Sequence, residues 1–296
     1  MKIGYPCINR SLQCQGDRTF RLRSFSPERF GETVENNLSC LLHILQFNKT
    51  HGILFFRITS ELIPFASHPV CTIPWQDSYR ERLKEIGAFI KAHHMRISMH
   101  PDQFTLLNSP DEKIFIRSVA ELAYHCDVLD GMELAGDAKI QIHVGGLYGD
   151  RKASLKRFME RYGTLEDRIK KRLVIEHDDR SYPLSDCLEL SGKAGVPVLF
   201  DSFHHRLLSG GEKVREALEA CKETWKAPDG IPMADYSSQE PGKRRGTHAT
   251  TLDPGDFRAF LKASKDCDFD LMLEIKDKEK SALKALEIMK ESAHAL

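Results

Sequence analysis

The chain has 296 residues, of which 43 are basic and 43 acidic, and its 8 cysteines show no paired C-x-x-C spacing. This balance excludes a bulk positive field, so a contact with nucleic acid would need a local patch. The cysteine spacing gives no sign of a zinc ribbon or a thioredoxin-type motif, and we expect most of the cysteines to be reduced. No apolar stretch of about 18 residues predicts a membrane span.

Strand-like and helix-like segments alternate along the whole chain. A first strand is predicted near Lys2–Ile8, and Ser26-Pro27 then indicates the N-cap and first residue of a helix that runs to about Gln46. A second strand follows at Ile53–Arg57. Further apolar runs predict strands at Arg96–His100, Ile140–His143, Leu173–Glu176, Pro197–Asp201, Ile231–Asp235 and Leu271–Glu274. Helix patterns separate them near 78–93, 112–130, 151–162, 184–194, 211–225, 254–264 and 279–294.

Eight strand and helix units in succession predict an α/β fold, a single (β/α)8 TIM barrel over residues 1–296. Such barrels often use about 250 residues as one domain. A doubly wound sheet is the alternative. The chain has no Gly-x-Gly-x-x-Gly after the first strand and no P-loop, which disfavours that alternative for a nucleotide-binding protein.

Metal-type ligands end six of the predicted strands. Because a buried parallel strand is nearly all apolar, a polar residue at its end lies where the core gives way to a pocket. Three more histidines lie in loops that follow strands. The nine candidate ligands are His68, His100, His143, Glu176, Asp201, His204, Asp235, His248 and Glu274.

Imidazole and carboxylate together suit zinc, manganese or iron, and nine ligands are too many for one ion. Two or three ions are therefore predicted at the C-terminal rim of the barrel. Glu176, midway through the set, is expected to bridge two ions. A lone histidine is more often a hydrogen-bonded structural residue, and a lone aspartate often caps a helix. We assign that structural role to His177 and His205.

Two loops have the composition of nucleic-acid contacts. Gln103 and Phe104 directly follow His100 and would bring an amide and an aromatic ring to the rim, as needed to enter a base stack. Lys243, Arg244 and Arg245 form a cationic cluster in the long irregular segment 235–253, near His248, and could contact phosphate. A packed aromatic and a solubilising charge run are the alternatives.

At these residues the chain resembles the UV damage endonuclease family of UvdE-type repair nucleases. The resemblance covers nearly the whole chain and rests on ordered blocks: Gly4–Asn9, Phe56–His68, Ser98–Pro110, Gln141–Gly146, Asp201 with His204, and Tyr236–Gln239. It implies a TIM barrel related to endonuclease IV and a metal-dependent phosphodiesterase that cuts duplex DNA immediately 5′ to a lesion, leaving a 3′-hydroxyl and a 5′-phosphate.

The resemblance also implies residue roles. His68, His100, His143, Glu176, Asp201, His204, His248 and Glu274 match the family's metal ligands, and we expect catalytic roles for Glu176, Glu274, His100 and His143. Gln103 and Phe104 match the pair that probes the lesion, while Tyr5 and Asn9 match residues that contact DNA. The implied cofactor is a cluster of two or three divalent ions, Mn²⁺ first and Zn²⁺, Mg²⁺ or Co²⁺ as alternatives. We expect no nucleotide cofactor and no membrane association, but a cytoplasmic, nucleoid-associated monomer.

The chain departs from the family pattern at the seventh strand. Where better-studied members have Lys-x-His, with a carboxylated lysine, this chain has Met233-Ala-Asp235. Asp235 can bind a metal, but Met233 cannot form a carbamate. Two other functions stay open. One is a damage-binding protein without cleavage activity, and the other is a metal-dependent sugar isomerase-like barrel, since fold does not dictate function.

Overall fold

The computed structural model describes residues 1–294 and forms a closed barrel of parallel strands in the order β1 to β8. β1 pairs with both β2 and β8, which closes the sheet. The strands are β1 (Ile3–Pro6), β2 (Phe55–Ile58), β3 (Arg96–Met99), β4 (Lys139–His143), β5 (Leu173–Glu176), β6 (Val198–Asp201), β7 (Met233–Tyr236) and β8 (Asp270–Leu273). The predicted TIM barrel is confirmed.

Helices connect the strands and cover the outside of the barrel. They are α1 (Pro27–Thr50), α2 (Trp75–Ser78), α3 (Arg80–Ala92), α4 (Glu112–Gly131), α5 (Arg151–Thr164), α6 (Asp167–Arg172), α7 (Leu184–Ala194), α8 (Ser202–Leu207), α9 (Val214–Lys222), α10 (Pro254–Ala263) and α11 (Glu279–His294). Ser26 caps α1 as predicted, because its hydroxyl accepts a hydrogen bond from the Arg29 amide.

The sequence patterns missed three short helices. α2, α6 and α8 have 4, 6 and 6 residues, too few to show a helical period of apolar residues. α8 has a local cause, since the Asp201 carboxylate accepts hydrogen bonds from the amides of Phe203 and His204 and starts the helix directly after β6. That turn brings His204 back beside the end of its own strand.

An apolar layer fills the inside of the barrel below the predicted site. Side chains from five strands form a buried cluster with Trp225, apart from the main core between barrel and helices: Phe55, Val174, Leu199, Met233 and Met272. Strand side chains alternate between faces, so the residues two positions later face the same interior. Those residues are Arg57, Glu176, Asp201, Asp235 and Glu274. Met233 is therefore a core residue, one layer below Asp235.

Buried ion pairs close the opposite, N-terminal end of the barrel. Lys139 is fully buried, and its Nζ lies 2.5 Å from Asp229 and 2.8 Å from the Lys171 carbonyl oxygen. Arg96 and Asp270 lie 4.0 Å apart in the same region. These charges belong to the floor of the barrel, whereas the predicted ligands lie at the other end.

Two further predictions can be compared with the structure. Within residues 1–294, the helices are too short or too polar to cross a bilayer. Cys14 and Cys40 form a disulfide between the loop after β1 and α1, so the expectation of reduced cysteines does not hold for this pair. The other six cysteines are free thiols among the described residues, as expected for most of them.

Candidate metal centre

Glu176, at the end of β5, lies at the centre of the predicted ligands. Its side chain is 1% exposed. Oε2 lies 3.6 Å from His100 Nε2 and 3.7 Å from His143 Nε2, while Oε1 lies 2.9 Å from His204 Nδ1. The two longer separations suit ligands of one ion better than a hydrogen bond, because metal–ligand distances are about 2.0–2.2 Å. Oε2 of Glu176 thus faces His100 and His143, whereas Oε1 faces His204.

Three groups of ligand atoms lie close enough together to hold a cation. In each group the ligand atoms lie within 4.8 Å of one another. Glu176 belongs to two groups, as expected of a bridging carboxylate. The groups are His100, His143 and Glu176; then Glu176, Asp201 and His204; and finally Asp201, Asp235 and Glu274.

Several polar atoms of these residues have no hydrogen-bond partner among the described residues. They are Oδ2 of Asp201 and Nδ1 of both His100 and His143. Buried polar atoms without a partner are uncommon in folded proteins. The Asp201 carboxylate uses Oδ1 to cap α8, which leaves Oδ2 free for another ligand. The free oxygen and the mixed imidazole and carboxylate chemistry fit a divalent cation.

The electrostatics of the centre favour added positive charge. Burial would raise the pKa of Glu176, but the imidazoles of His143, His100 and His204 outweigh it and hold the pKa well below its usual value. Burial, with added repulsion from Glu176 and Glu274, raises the pKa of Asp201 to about 6, against the opposing charge of His204. In His204 burial opposes protonation, yet Asp201 and Glu176 raise its pKa to about 11. Protonation of His204 partly neutralises the acidic cluster.

Two buried residues that the sequence analysis did not single out belong to the centre. Nη2 of Arg57 donates hydrogen bonds to both oxygens of Asp235, at 2.9 and 2.7 Å, and Nη1 donates to Oε1 of Glu274. Gln141 accepts from Arg57 at 2.8 Å and donates to Asp235 and Glu176 at 2.7 and 2.5 Å. The two-residue period of a strand could have identified both residues, because it places them on the inner face of the barrel. Arg57 follows Phe55 by two positions, and Gln141 precedes His143 by two.

The charges of this network are only partly matched, because burial and repulsion from Glu274 and Glu176 raise the pKa of Asp235 well above its usual value against the attraction of Arg57. Burial would lower the pKa of Arg57, but Asp235 and Glu274 raise it above its usual value, so the guanidinium is charged. Burial would raise the pKa of Glu274, but the positive charge of Arg57 outweighs burial and lowers this pKa to about 2. Asp235, predicted as a metal ligand, is close to Asp201 and Glu274, but both its oxygens already accept hydrogen bonds.

The two remaining predicted ligands lie at the edge of the centre. His248 Nδ1 is 3.0 Å from the Glu274 carbonyl oxygen and 3.8 Å from its carboxylate. His68 is exposed, and its Nδ1 accepts a hydrogen bond from the Val70 amide at 3.0 Å. Neither belongs to the three groups found among the described residues. Their roles as ligands stay predictions.

His177 has the structural role that we predicted. It is fully buried, and its Nε2 accepts a hydrogen bond from the Asp201 amide at 3.0 Å. Burial, followed by the positive charge of His204, lowers the pKa of His177 to about 3, so the ring is neutral. Its carbonyl oxygen also lies 3.0 Å from His204 Nδ1. His177 therefore positions the Asp201 and His204 segment.

The predicted probe loop borders the centre. Phe104 is 71% exposed, and its amide donates a hydrogen bond to Asp102 at 2.7 Å. Gln103 is exposed as well. This loop lines a cavity of about 260 Å³ together with His143 and Gly145-Gly146 of the loop after β4. An exposed aromatic ring thus lies beside a cleft that reaches two of the predicted ligands, His100 and His143.

The placement of Tyr5 does not support a DNA contact. Its side chain is fully buried, and its hydroxyl donates to Asn48 at 2.6 Å and accepts from Asn9 at 2.8 Å. Asn9 is 5% exposed and also accepts from the amides of Ser11 and Leu12. In the free protein Tyr5 and Asn9 shape the loop after β1. The roles of Tyr5 and Asn9 as DNA contacts stay predictions.

The cationic loop residues Lys243, Arg244 and Arg245 are all exposed, as their predicted role requires. Arg245 donates a hydrogen bond to the Leu207 carbonyl oxygen at 2.7 Å, which fixes the loop against the end of α8. Gln239 and His248, on either side of these residues in the chain, form an isolated antiparallel bridge. The loop that carries the cations is therefore joined to the segment that carries His248.

The sequence of the chain identifies its relatives. The model of the family described as UV-endonuclease UvdE matches residues 1–295. The chain belongs to the UV-endonuclease UvdE family. It is 37% identical over 293 residues to the UV DNA damage endonuclease of Clostridium perfringens (strain 13 / Type A), across 98% of this chain and 71% of the relative. It is 32% identical over 297 residues to that of Bacillus thuringiensis subsp. konkukian (strain 97-27), across 97% and 94%.

Solved structures agree with membership of the UvdE family. The crystal structure of SacUVDE matches with a TM-score of 0.95 and 47% identity, across 99% of both chains. Endonuclease IV from Thermus thermophilus matches with a TM-score of 0.56 and 14% identity, across 87% of this chain and 95% of that one, which shows a common fold. Membership of the UvdE family supports the interpretation of this protein as a DNA repair endonuclease. The acidic and histidine side chains at the rim of its barrel are positioned to bind metal.

Proposed function

We propose that this protein is a metal-dependent endonuclease that nicks duplex DNA immediately 5′ to UV photoproducts. The observation that carries the proposal is the position of Glu176, whose carboxylate is shared by two groups of metal-type ligands at the rim of a UvdE-family barrel. A shared carboxylate can hold two ions about 3.5–4 Å apart, the spacing used in two-metal phosphodiester hydrolysis.

The chain's own residues would divide the work between ion binding and positioning. His100, His143 and Glu176 would hold one ion, and Glu176, Asp201 and His204 a second. Bound divalent ions would supply Lewis acid chemistry at the scissile phosphate. Arg57 and Gln141 would keep the carboxylates of Glu176 and Glu274 in place through their hydrogen bonds. Such pre-positioning matters because catalysis depends on small displacements of the reacting groups.

Recognition of damaged DNA would use the exposed residues around the rim. Phe104, with Gln103 beside it, would enter the base stack at the lesion, where pairing and stacking are already weakened. Lys243, Arg244 and Arg245 would contact phosphates, which suits a chain whose net charge is zero. Hydrolysis would form a bond from a water oxygen to phosphorus and break the bond from phosphorus to O3′. The products would be a 3′-hydroxyl, which receives a proton, and a 5′-phosphate.

The proposal is tested with a duplex that carries one pyrimidine dimer and a 5′ label. Metal-free protein is incubated with this duplex and Mn²⁺, Mg²⁺, Zn²⁺ or Co²⁺ in parallel, and the product is sized to one nucleotide. We expect a nick immediately 5′ to the dimer with Mn²⁺ and none with EDTA. Extension of the labelled strand by a polymerase would identify the 3′-hydroxyl.

Matched reactions separate the other functions. Glu176→Gln should reduce nicking to background, while Glu212→Gln, a carboxylate next to His205, should leave it unchanged. Dimer-dependent retardation of the duplex without a nick would favour a binding protein, and conversion of an aldose sugar would favour an isomerase. An abasic-site duplex tests the lesion range, and gel filtration tests whether the protein acts as a monomer.

A further inference from the structure

Arg57 contributes a fixed positive charge inside the ring of acidic ligands. Its side chain is 3% exposed, and its contacts reach across the barrel from β2 to β7 and to the end of β8. The guanidinium is charged at every physiological pH. It carries a unit positive charge in the layer directly above the apolar interior, where Glu176, Asp201, Asp235 and Glu274 also lie.

The three groups of ligands differ in whether a fixed cation already binds their carboxylates. In the first two groups, Glu176 faces imidazoles and accepts a hydrogen bond from the neutral amide of Gln141, and Asp201 Oδ2 has no hydrogen-bond partner among the described residues. In the third group, both oxygens of Asp235 accept hydrogen bonds from Arg57, and Oδ2 accepts one from Gln141 as well. Oε1 of Glu274 also accepts from Arg57, whereas its Oε2 lies 3.8 Å from His248 Nδ1. Among residues 1–294, the buried carboxylate oxygen of the third group that has no hydrogen-bond partner is Oδ2 of Asp201. Asp201 also belongs to the second group, where it would already bind an ion.

A cation in the third group would have to displace Arg57 or share carboxylates with it. Sharing is unfavourable because like charges repel strongly in a buried site. Displacement is also unfavourable because it would leave a buried guanidinium without its carboxylate partners. Met233, two residues before Asp235, lies in the apolar layer and adds only a thioether, a poor ligand for hard divalent ions.

We propose that the Arg57 guanidinium takes the place of a third cation, so that this centre binds two divalent ions and Asp235 is a positioning residue and not a ligand. Asp235 fixes Arg57 and Gln141, and Gln141 in turn holds Oε2 of Glu176 at 2.5 Å. The inference rests on the proposed metal-dependent function for the choice of ion. It specifies that function further by setting the number of ions and the role of Asp235.

Two aspartates offer a matched comparison. Asp201 and Asp235 are register partners on β6 and β7, and both are fully buried. Asp201→Asn and Asp235→Asn each replace a carboxyl group by an amide of the same size in the same layer. Asp201→Asn keeps the helix cap, since asparagine caps as well as aspartate. If the inference is right, only Asp201→Asn should lose an ion.

The experiment counts bound Mn²⁺ in the intact, metal-free protein by elemental analysis after gel filtration, with free Mn²⁺ followed by electron paramagnetic resonance. We expect two ions per chain in the wild type, two in Asp235→Asn, and fewer than two in Asp201→Asn. Circular dichroism verifies that each variant is folded. If Asp235→Asn does not fold, the wild-type count decides alone.

The outcomes separate this inference from the proposed function. Three ions in the wild type, or loss of an ion in Asp235→Asn, would overturn the inference; nicking at the lesion would then leave the function in place. Two ions in both the wild type and Asp235→Asn, without nicking by the wild type, would support the inference and contradict the proposed function. A wild-type chain that binds no Mn²⁺ would overturn both.

Discussion

The side-chain amide of Gln141 donates a hydrogen bond to Oε2 of Glu176 at 2.5 Å, and both side chains are buried on neighbouring strands. The same amide group donates to Asp235, and its oxygen accepts from Arg57. The orientation of the Gln141 amide is therefore fixed by three partners. Through it, the charge of Arg57 is linked to the carboxylate that two groups of ligands share.

Gln141→Met should weaken Mn²⁺ binding without unfolding the barrel. The substitution keeps the volume of the side chain but leaves Glu176 Oε2 without its donor, and loss of such an outer partner typically lowers metal affinity about 10–100-fold. Calorimetric titration of metal-free protein measures the effect. Gln103→Met, in the exposed loop, is the control and should bind Mn²⁺ as the wild type does. If both variants bound Mn²⁺ with equal affinity, Gln141 would have no role in the metal centre.

Replacing Gln103 and Phe104 together by alanine should reduce the preference for damaged DNA. Stacking of a base on an aromatic ring contributes about 1–3 kcal/mol, so the ratio of affinities for damaged and intact duplex should fall roughly 5–150-fold. Fluorescence anisotropy with both duplexes measures this ratio. The Mn²⁺ content should not change, because neither residue is in a ligand group.

Ile116→Ala provides a control for this variant, since Ile116 is also an exposed apolar residue but lies on α4. It should keep the wild-type preference for the lesion. A double variant that discriminates as well as the wild type, or that loses metal, would contradict the assigned role of the Gln103 and Phe104 loop.

Lys243→Ala combined with Arg244→Ala should weaken binding to damaged and intact duplexes by the same factor. Phosphate contacts carry no sequence or lesion information, and each one adds roughly one unit to the slope of log affinity against log salt. We expect this slope to decrease by about 2 in a titration with NaCl. Arg245 is left in place because it holds the loop to Leu207. A slope that equals that of the wild type would exclude phosphate contacts here.

Because His125 is buried in its neutral form, the free energy of unfolding should fall in mild acid. The ring is fully buried, with Nδ1 2.7 Å from the Glu121 carbonyl oxygen, and burial lowers its pKa to about 4. An unfolded histidine has a pKa of about 6.5. The unfolded state therefore binds a proton first as the pH falls, and stability that is complete above about pH 6.5 is lost towards pH 4, by up to roughly 3 kcal/mol.

Urea unfolding of the metal-free protein at about pH 7, 5.5 and 4.5 measures this loss. His125→Phe should reduce the difference between the highest and the lowest pH, because the ring no longer takes up a proton. His43→Phe, an exposed histidine on α1, should leave the difference unchanged. The assignment fails if both variants show the wild-type dependence on pH.

Sequence patterns were sufficient for the barrel because they report the local environment of each strand. Runs such as Leu173–Glu176 are apolar where both faces of the sheet are covered and become polar where the strand meets the pocket. The ends of eight parallel strands meet at one rim, so the sequence alone brought His100, His143 and Glu176 to a common site. The short helix α8 was missed, since its start depends on a single cap by Asp201.

Sequence by itself thus determined the barrel, the family and the candidate ligands, because periodicity and ordered motifs are properties of single segments. Tertiary structure alone decided which charges meet inside the barrel. Arg57 ends an apolar run on β2, and only closure of the sheet brings it to Asp235 on β7 and Glu274 after β8. Tertiary structure likewise decided that Tyr5 is buried and donates a hydrogen bond to Asn48. Pairing of distant buried groups depends on three-dimensional distance and desolvation, which spacing along the chain does not encode.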